Sequence, residues 1–337
     1  MAEIVLGLWT THGPQLNTTP DEWLLRVPAD EGRSHWYQGH RYTFDELVEL
    51  RRDEGLAEQA SRASMERHYQ ACQTAIDIVA ERWAEAAPDA CVIFGNDQRE
   101  LMLPACQPAY TVYYGDTFWN GPMPEERSAH LPPGIREGEW ANRPKERTVY
   151  PALPELAKRL IARGLDERWD FAASNEWPEH PIPHHHSGTP HAFAYIIRRV
   201  MRDAAVPILP IITNTFFPPN QPRPWRCFEL GQLVHRVIGE WDSDLRIAVV
   251  GSGGMSHFVI NEPFDQDFIA AIESRDDAHL RGIDPALLQD GTSELLNWIS
   301  AAGCLFPTAL GGELIDYVPC YRTVAGSGTA QGFIVWS

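Results

Sequence analysis

The sequence predicts an α/β fold, a single domain over residues 1–337 with a central, mostly parallel sheet covered by helices. Three short apolar runs predict buried parallel strands, because they are continuous rather than alternating: Ile4–Trp9, Ala90–Phe94 and Arg246–Val250. Segments with helical spacing separate these runs, and that alternation is typical of a sheet with helices on both faces. No internal repeat or linker divides the chain, which favours one domain over two.

A fourth apolar run, Val206–Thr213, contains Pro207 and Pro210. Because proline cannot donate a hydrogen bond to a neighbouring strand, we predict a strand near an edge of the sheet. Apolar residues at helical spacing predict five helices. These are Leu56–Ala86, which ends before Pro88, and Pro151–Arg163, Ala192–Arg202, Arg226–Glu240 and Ser293–Ala302.

Two long stretches, Gln15–His40 and Pro104–Arg147, are rich in proline, aromatic and charged residues and show no clear period. Irregular insertions of this length usually form lids, pocket walls or subunit contacts, and here we predict a pocket wall. Their aromatic residues could line a pocket for an aromatic ligand, although such side chains more often pack in cores or interfaces. They are Trp36, Tyr37, Tyr110, Tyr113, Tyr114 and Trp119.

The charge and the cysteines limit the class of protein. A net charge of −18 argues against binding to nucleic acid or to anionic membranes, since both depend on clustered cations. No apolar stretch approaches the roughly 20 residues that span a bilayer. The six cysteines form no CxxC pair, and the first residues are typical of a strand rather than a signal peptide. We therefore expect a cytoplasmic protein.

Polar loops follow three of the predicted strands. They cover residues Thr10–Pro14, Gly95–Glu100 and Gly251–His257. Ligands of such sheets bind outside the carboxyl ends of the strands, where these loops begin. Side chains capable of metal binding are therefore expected to gather at one rim.

Four residues near that rim have a functional and a structural interpretation. His12 follows a strand, but a lone histidine can simply bond to the backbone. The glycines before His257 let the backbone approach a ligand, although a glycine-rich turn could also bind phosphate. His191, at a helix start, could exchange protons or be an ordinary first-turn residue. Glu294 alone is a routine acid at a helix N-terminus.

Together, eight segments resemble the class III extradiol ring-cleavage dioxygenases, the family of the protocatechuate 4,5-dioxygenase β subunit. The gallate and 3-O-methylgallate branch is the more similar one. The segments run in family order from the first strand to about residue 303. They are Thr11–Pro14, Tyr42–Leu47, Val92–Gln98, Pro190–Phe193, Asn214–Pro222, Arg226–Gly231, Gly251–His257 and Ser293–Trp298.

The resemblance implies a non-haem Fe(2+) held by two histidines and one glutamate, an open triad that suits an aromatic diol and dioxygen. It maps the first metal ligand onto His12 and the carboxylate ligand onto Glu294. It maps the histidine that deprotonates the diol onto His257, and a second active-site histidine onto His191. These four are the ligands and catalytic residues that the resemblance implies.

The second metal ligand departs from the family pattern, because Gln98 stands where the family has histidine. Glutamine can offer a carbonyl oxygen, and we assign Gln98 to this position. Three alternatives stay open, namely ligation by Asp97, by His68 or by one of His184–His186. Short histidine tracts are commonly solvated loops, and the metal could also be lost.

The resemblance also implies the reaction. A small aromatic diol or triol of catechol or gallate type would bind with dioxygen, and the ring would open next to the diol. We expect a homodimer or a larger homo-oligomer. Two rival functions are a zinc hydrolase on the same fold and a non-catalytic subunit paired with an active homologue. The second rival should have lost several site residues together, whereas His12, His191, His257 and Glu294 are all present.

Overall fold

A computed structural model describes residues 1–177 and 188–337. Its strands are β1 (Glu3–Thr11), β2 (His35–Tyr37), β3 (His40–Tyr42), β4 (Ala90–Asn96), β5 (Tyr110–Tyr113), β6 (Thr117–Asn120), β7 (Thr148–Pro151), β8 (Ala172–Ser174), β9 (Ile208–Thr213), β10 (Arg246–Gly253), β11 (His257–Val259), β12 (Gly312–Tyr321) and β13 (Ser327–Trp336). Nine of them form one mixed sheet in the order β11-β13-β1-β10-β4-β9-β5-β8, with β12 paired to β13. The pairs β2–β3 and β6–β7 are separate hairpins.

The α-helices are α1 (Pro20–Trp23), α2 (Val27–Glu31), α3 (Phe44–Leu50), α4 (Leu56–Gln59), α5 (Arg62–Ala86), α6 (Glu125–Ser128), α7 (Pro154–Asp166), α8 (His191–Tyr195), α9 (Pro224–Gly239), α10 (Glu262–Ser274), α11 (Asp277–Gly282) and α12 (Leu295–Leu305). Short 3-10 turns cover Pro14–Asn17, Leu24–Arg26, Arg136–Ala141, Pro285–Leu287 and Asp290–Glu294. A π-helical turn, Ile196–Val200, continues α8. Within the described ranges, no helix has both the length and the apolar character needed to cross a bilayer.

The predicted α/β class is confirmed. Strands β1, β10, β4 and β9 are parallel neighbours at the centre of the sheet, and antiparallel strands extend it on both sides. Alternate residues of the central strands pack into two cores. Trp9, Val92 and Val249 face the core that α9 and α12 share. Leu8, Ile93 and Val250 face the core that α5 and α8 share. Helices therefore cover both faces, as the continuous apolar runs predicted.

The strand that Val206–Thr213 predicted near an edge of the sheet is the third from the β8 end and is not itself an edge strand. The strand begins at Ile208 and lies inside the sheet, between β4 and β5. Pro207 accepts a hydrogen bond from Cys91 of β4 through its carbonyl. Because residues of a strand face alternate neighbours, Pro210 turns toward β5, whose pairing with β9 begins only at Ile211. The missing N–H of Pro210 therefore falls just outside the paired segment.

The predicted helices exist, with two changes. The segment Leu56–Ala86 is two helices, α4 and α5, because Ser61 caps a new helix by accepting a hydrogen bond from the Ser64 N–H. The segment after Pro190 is a short α-helix that passes into the π-helical turn. The other three predicted helices differ from α7, α9 and α12 by a few residues at their ends.

Helices α9 and α12 pack with their backbones nearly touching. A Cβ atom added to Gly231 would collide with the carbonyl oxygen of Ser300. One added to Gly303 would collide with the carbonyl oxygen of Phe228. Only glycine permits this approach, which presses α12 against the sheet and fixes the turn before it at the rim. That turn ends with Glu294.

Candidate active site

All five residues to which the sequence assigned a function line one pocket of about 200 Å³. His12 directly follows β1, Gln98 lies two residues after β4 and His257 opens β11. His191 is the first residue of α8, and Glu294 ends the 3-10 turn before α12. The carboxyl ends of the parallel strands thus bring together residues from the whole length of the chain, as the loops predicted.

The carboxylate of Glu294 is the centre of the arrangement. Its Oε2 atom lies 3.3 Å from Nε2 of His12 and 3.6 Å from Nε2 of His257. Its Oε1 atom accepts hydrogen bonds from the side-chain amides of Asn96, at 3.2 Å, and Gln98, at 3.0 Å. Glu294 and both of these histidines are buried.

The proton on His12 can be placed from its neighbours. The Ser252 hydroxyl donates to the carbonyl oxygen of Ala192 at 2.6 Å. A serine hydroxyl has one proton, so Ser252 Oγ can only accept from His12 Nδ1, at 2.9 Å. His12 therefore carries its proton on Nδ1. Its Nε2 is buried, has no hydrogen-bond partner among the described residues and faces the Glu294 carboxylate.

His191 is held in the same way by Glu100. Its Nδ1 atom lies 2.7 Å from Oε2 of Glu100, and its backbone N–H donates to Oε1 of the same carboxylate at 3.0 Å. The Nδ1–H is thereby engaged, which leaves Nε2 available to a ligand. The rings of His191 and His12 meet edge to face, with centroids 4.7 Å apart.

His257 is fixed through its ring and its backbone. Its Nδ1 donates to the carbonyl oxygen of Met255 at 2.7 Å, and its Nε2 lies 3.6 Å from Oε2 of Glu294. The hydroxyl of Thr292 accepts from the His257 N–H and donates to its carbonyl oxygen. Buried Asp265 binds the backbone N–H and the hydroxyl of Ser256, the preceding residue.

The charges of the cluster compensate one another. Burial alone would raise the pKa of Glu294, but three neighbouring histidines outweigh burial and lower that pKa to about 2. Burial lowers the pKa of His12, against the opposing effect of Glu294. Loss of solvation also opposes the charged form of His191, which is half-buried, but Glu100 more than offsets that effect and raises the pKa of His191 to about 9. At neutral pH the site thus contains an ionised Glu294 carboxylate and a cationic His191.

This arrangement fits a divalent metal ion. One nitrogen each of His12 and His191 and one oxygen of Glu294 lie within 4.8 Å of one another. The lone pair on Nε2 of His12 would repel the carboxylate that it faces unless a cation or a proton lay between them. Histidines that bind metals commonly donate their other N–H to a fixed acceptor, as these do. Two imidazoles and a carboxylate suit iron(II) and zinc alike.

The residues that the sequence offers as the remaining metal ligand lie at different places in the structure. Gln98 reaches the site and contacts Glu294 through its amide. Asp97 is committed to its own loop, because its carboxylate accepts from the backbone N–H groups of Glu100, Leu101 and Met102. His68 lies on α5, where its charged neighbours are Arg67, Glu262 and Asp316. His184–His186 lie outside the described residues.

Both irregular insertions contribute to the pocket wall, as predicted. Arg26 comes from the first insertion, and the second contributes Arg127, Leu131, Ile135, Glu139 and Asn142. Of the two roles left open for the aromatic residues of the insertions, the structure shows packing rather than a place in this pocket. None of those six residues lies in its wall, because they pack in the core or line other cavities, and the aromatic side chain at the site is Phe258.

Two residues that hold the histidines, Glu100 and Ser252, are not among those predicted from the sequence. Both lie in loops that were recognised as rim loops. Their partners are 91 and 240 residues away in the chain, so no local pattern could connect them. The only available signal was a polar side chain directly after a buried strand.

The family model described as the catalytic LigB subunit of aromatic ring-opening dioxygenase matches residues 57–305. The matched range contains Gln98, His191, His257 and Glu294. His12 and the strand that carries it lie before it.

Proposed function

This chain belongs to the family of the catalytic LigB subunit of aromatic ring-opening dioxygenase, and we propose that it uses iron(II) and dioxygen to cleave a catechol- or gallate-type ring in the extradiol mode. The family match supports ring opening by a dioxygenase. The metal, the position of cleavage and the substrate type belong to the proposal. The observation that carries it is the buried Nε2 atom of His12, which lies 3.3 Å from the Glu294 carboxylate and has no hydrogen-bond partner among the described residues.

We propose His12 and Glu294 as two of the metal ligands. The third position could be filled by the carbonyl oxygen of Gln98, which would leave His191 for proton transfer. Alternatively, His191 binds the metal and Gln98 orients Glu294. The contacts favour the second arrangement, because Glu100 holds His191 as carboxylates hold metal-binding histidines, and Gln98 directs its amide N–H at Glu294.

Iron(II), when bound, would acidify the phenolic hydroxyls and keep diol and dioxygen adjacent. The protein's own groups would do the rest. His257 presents an acceptor nitrogen and would take a phenolic proton, since its Nδ1–H is fixed on Met255. The apolar side chains of Leu131, Ile135 and Phe258 line the pocket and would exclude water from the ring.

Oxygen uptake by the metal-loaded chain tests the proposal. Separate iron(II) and zinc preparations would be given pyrogallol or gallate in an oxygen electrode cell, and the product would be identified by mass. We expect uptake of one dioxygen per ring with iron(II), and an open-chain product that contains both oxygen atoms. The His257→Ala chain is the control, because it should bind iron and consume no oxygen.

Other outcomes identify the rival functions. Hydrolytic activity of the zinc preparation without oxygen uptake by the iron preparation would favour the zinc hydrolase. Absence of metal binding would favour a non-catalytic subunit. A cytoplasmic location and a homo-oligomeric assembly remain predictions from the sequence. The expectation that the reaction partners are a small aromatic substrate and dioxygen is also a prediction.

A further inference from the structure

Asp265 is a fully buried acid next to the segment that carries His257, and it does not line the pocket. It lies in the first turn of α10. Its Oδ1 atom accepts a hydrogen bond from the backbone N–H of Ser256 at 2.8 Å, and its Oδ2 atom accepts from the Ser256 hydroxyl at 2.6 Å. The hydroxyl of Tyr317 on β12 also donates to Oδ2, at 2.8 Å. Three uncharged donors thus converge on one buried carboxylate.

One peptide group connects this carboxylate with the imidazole of His257. The N–H of that peptide belongs to Ser256 and donates to Asp265. Its C=O belongs to Met255 and accepts from Nδ1 of His257 at 2.7 Å. Because the N–H and C=O of a peptide are conjugated, an anionic acceptor at the N–H makes the oxygen more negative. A carboxylate on one side of the peptide therefore strengthens the hydrogen bond on the other side.

The position of the His257 ring also depends on this part of the backbone. A Cβ atom added to Gly254 would collide with the ring, and so would one added to Gly291. Both backbones therefore lie against the imidazole, which has little room to rotate unless the segment 254–256 moves. The Ser256 carbonyl oxygen accepts from the Ala330 N–H of β13, while Asp265 holds the N–H of the same residue. The segment is thus fixed through both of its polar backbone groups.

The charge on Asp265 is costly to bury. Burial raises the pKa of Asp265 to about 7, and the hydrogen bonds from Ser256 and Tyr317 only partly oppose that rise. Nearby Glu262 raises it further. An asparagine of the same shape would avoid most of this cost and could still accept from the Ser256 N–H. The choice of a carboxylate therefore points to a role beyond packing.

We propose that Asp265 is a positioning residue for proton transfer by His257, and that it acts through the Met255–Ser256 peptide. This inference rests on the proposed function, in which His257 takes a phenolic proton. A more negative Met255 oxygen both holds the ring and stabilises the positive charge that develops as a proton reaches Nε2. Asp265 lies outside the pocket wall, so it acts without touching the substrate.

The hydrogen bond from Nδ1 of His257 can be observed directly. We would record the imidazole N–H protons of the zinc-loaded chain, which is diamagnetic, by nuclear magnetic resonance at pH 8, where Asp265 is ionised. The His257 signal is the one that disappears in His257→Ala. Asp265→Asn keeps the shape and an acceptor but removes the charge, so this signal should move upfield as the bond weakens.

The same substitution should change kcat without changing KM. In oxygen uptake by the iron-loaded chain with pyrogallol, Asp265→Asn should lower kcat by about 5-fold, because charged acceptors form hydrogen bonds roughly twice as strong as neutral ones. KM and iron affinity should stay within about 2-fold, since the lost interaction strengthens only as the ring gains its proton. A parallel change in KM and iron affinity would indicate general damage to the site and would overturn the inference.

Two tyrosines of β12 provide a matched pair of further variants. Tyr317 donates its hydroxyl to Asp265, whereas Tyr321 donates to Glu262 of the same helix, at 2.7 Å. Tyr317→Phe should shift the His257 signal by less than Asp265→Asn does, and Tyr321→Phe should leave it unchanged. This pair carries the test if Asp265→Asn fails to fold. An unchanged signal in Tyr317→Phe and in any folded Asp265→Asn protein, or an equal shift in Tyr321→Phe, would contradict the proposed path.

The spectroscopic measurement requires neither oxygen nor substrate, so it separates this inference from the proposed function. A shifted signal without oxygen uptake by any variant would support the path from Asp265 to His257 and contradict the dioxygenase proposal alone. Oxygen uptake with the same kcat and the same signal in Asp265→Asn would contradict the positioning role alone.

Discussion

The two sides of the pocket are built differently. On the rim side, each histidine has its Nδ1 atom bonded to a fixed partner, which is Ser252 for His12, Glu100 for His191 and Met255 for His257. On the wall side, the insertions contribute short helices and 3-10 turns, and Arg26 makes no comparable bond within the described ranges. The rim is thus preorganised for chemistry, whereas the wall offers a charge to a ligand.

This contrast predicts that substitutions on the rim affect every substrate, and that substitutions on the wall affect the choice among substrates. Four variants test it, and they follow in order of expected effect.

Glu294→Ala should have the largest effect. It removes the carboxylate that all three histidines surround, and we expect iron affinity to fall by more than about 100-fold, since even the groups behind metal ligands are worth about 10- to 100-fold. Titration with iron(II) against a competing chelator measures this loss. Full iron stoichiometry and unchanged affinity would disprove the proposed metal site.

His257→Ala should strongly lower turnover without loss of metal. General-base catalysis contributes about 10²- to 10⁴-fold, so kcat should fall by that factor for gallate and pyrogallol alike. Iron content by elemental analysis and oxygen uptake are the two measurements. A parallel loss of iron would instead make His257 a ligand.

Glu100→Gln should have an intermediate effect. Glutamine keeps an acceptor for the ring of His191 but loses the charge, so iron affinity should fall by about 10-fold if His191 binds the metal. If Gln98 is the ligand and His191 transfers protons, the affinity should stay and kcat should fall. The variant thus decides between the two arrangements.

Gly134→Ala should have the smallest effect, confined to the wall. The new Cβ would collide with Cγ of Arg26, and the positive φ adds backbone strain of roughly 1 kcal/mol. Iron affinity should stay unchanged while KM for gallate rises a few-fold. Gly55→Ala is the matched control, because Gly55 has a φ of +68° and no atom within 4 Å of the added Cβ. A similar rise in KM in both variants would mean that strain alone is responsible.

Many features of the fold and of the candidate site could be predicted from the sequence. Most of them belong to the rim side of the pocket rather than to its wall. Strands β1, β4 and β10 were predictable because a strand buried on both faces is a continuous apolar run. His12, His191, His257 and Glu294 could be selected as candidates from the sequence because each lies near the end of such a strand or at a helix start and belongs to a segment that resembles the family.

What could not be predicted depends on contacts between distant residues. The proline-containing strand β9 lies inside the sheet only because β5 begins its pairing after Pro210. The aromatic residues of the insertions pack away from the site, because other parts of the molecule have the space for their side chains. A sequence does not show where that space lies. The unpaired charge of Arg26 follows from the pairing of Arg322 with Asp30, residues 292 positions apart.

The Ser252 hydroxyl has one more consequence, because it bonds both to the ring of His12 and to Ala192, the residue after His191. A displacement of α8 would move Ala192 and, through the hydrogen bond to its carbonyl oxygen, the Ser252 hydroxyl. The His12 imidazole, which is bonded to the same hydroxyl, would rotate as well. The two rings should therefore move as one mechanical unit. Their separation would stay constant while the pocket opens or narrows, and a perturbation at either ring should appear in the nuclear magnetic resonance signals of the other.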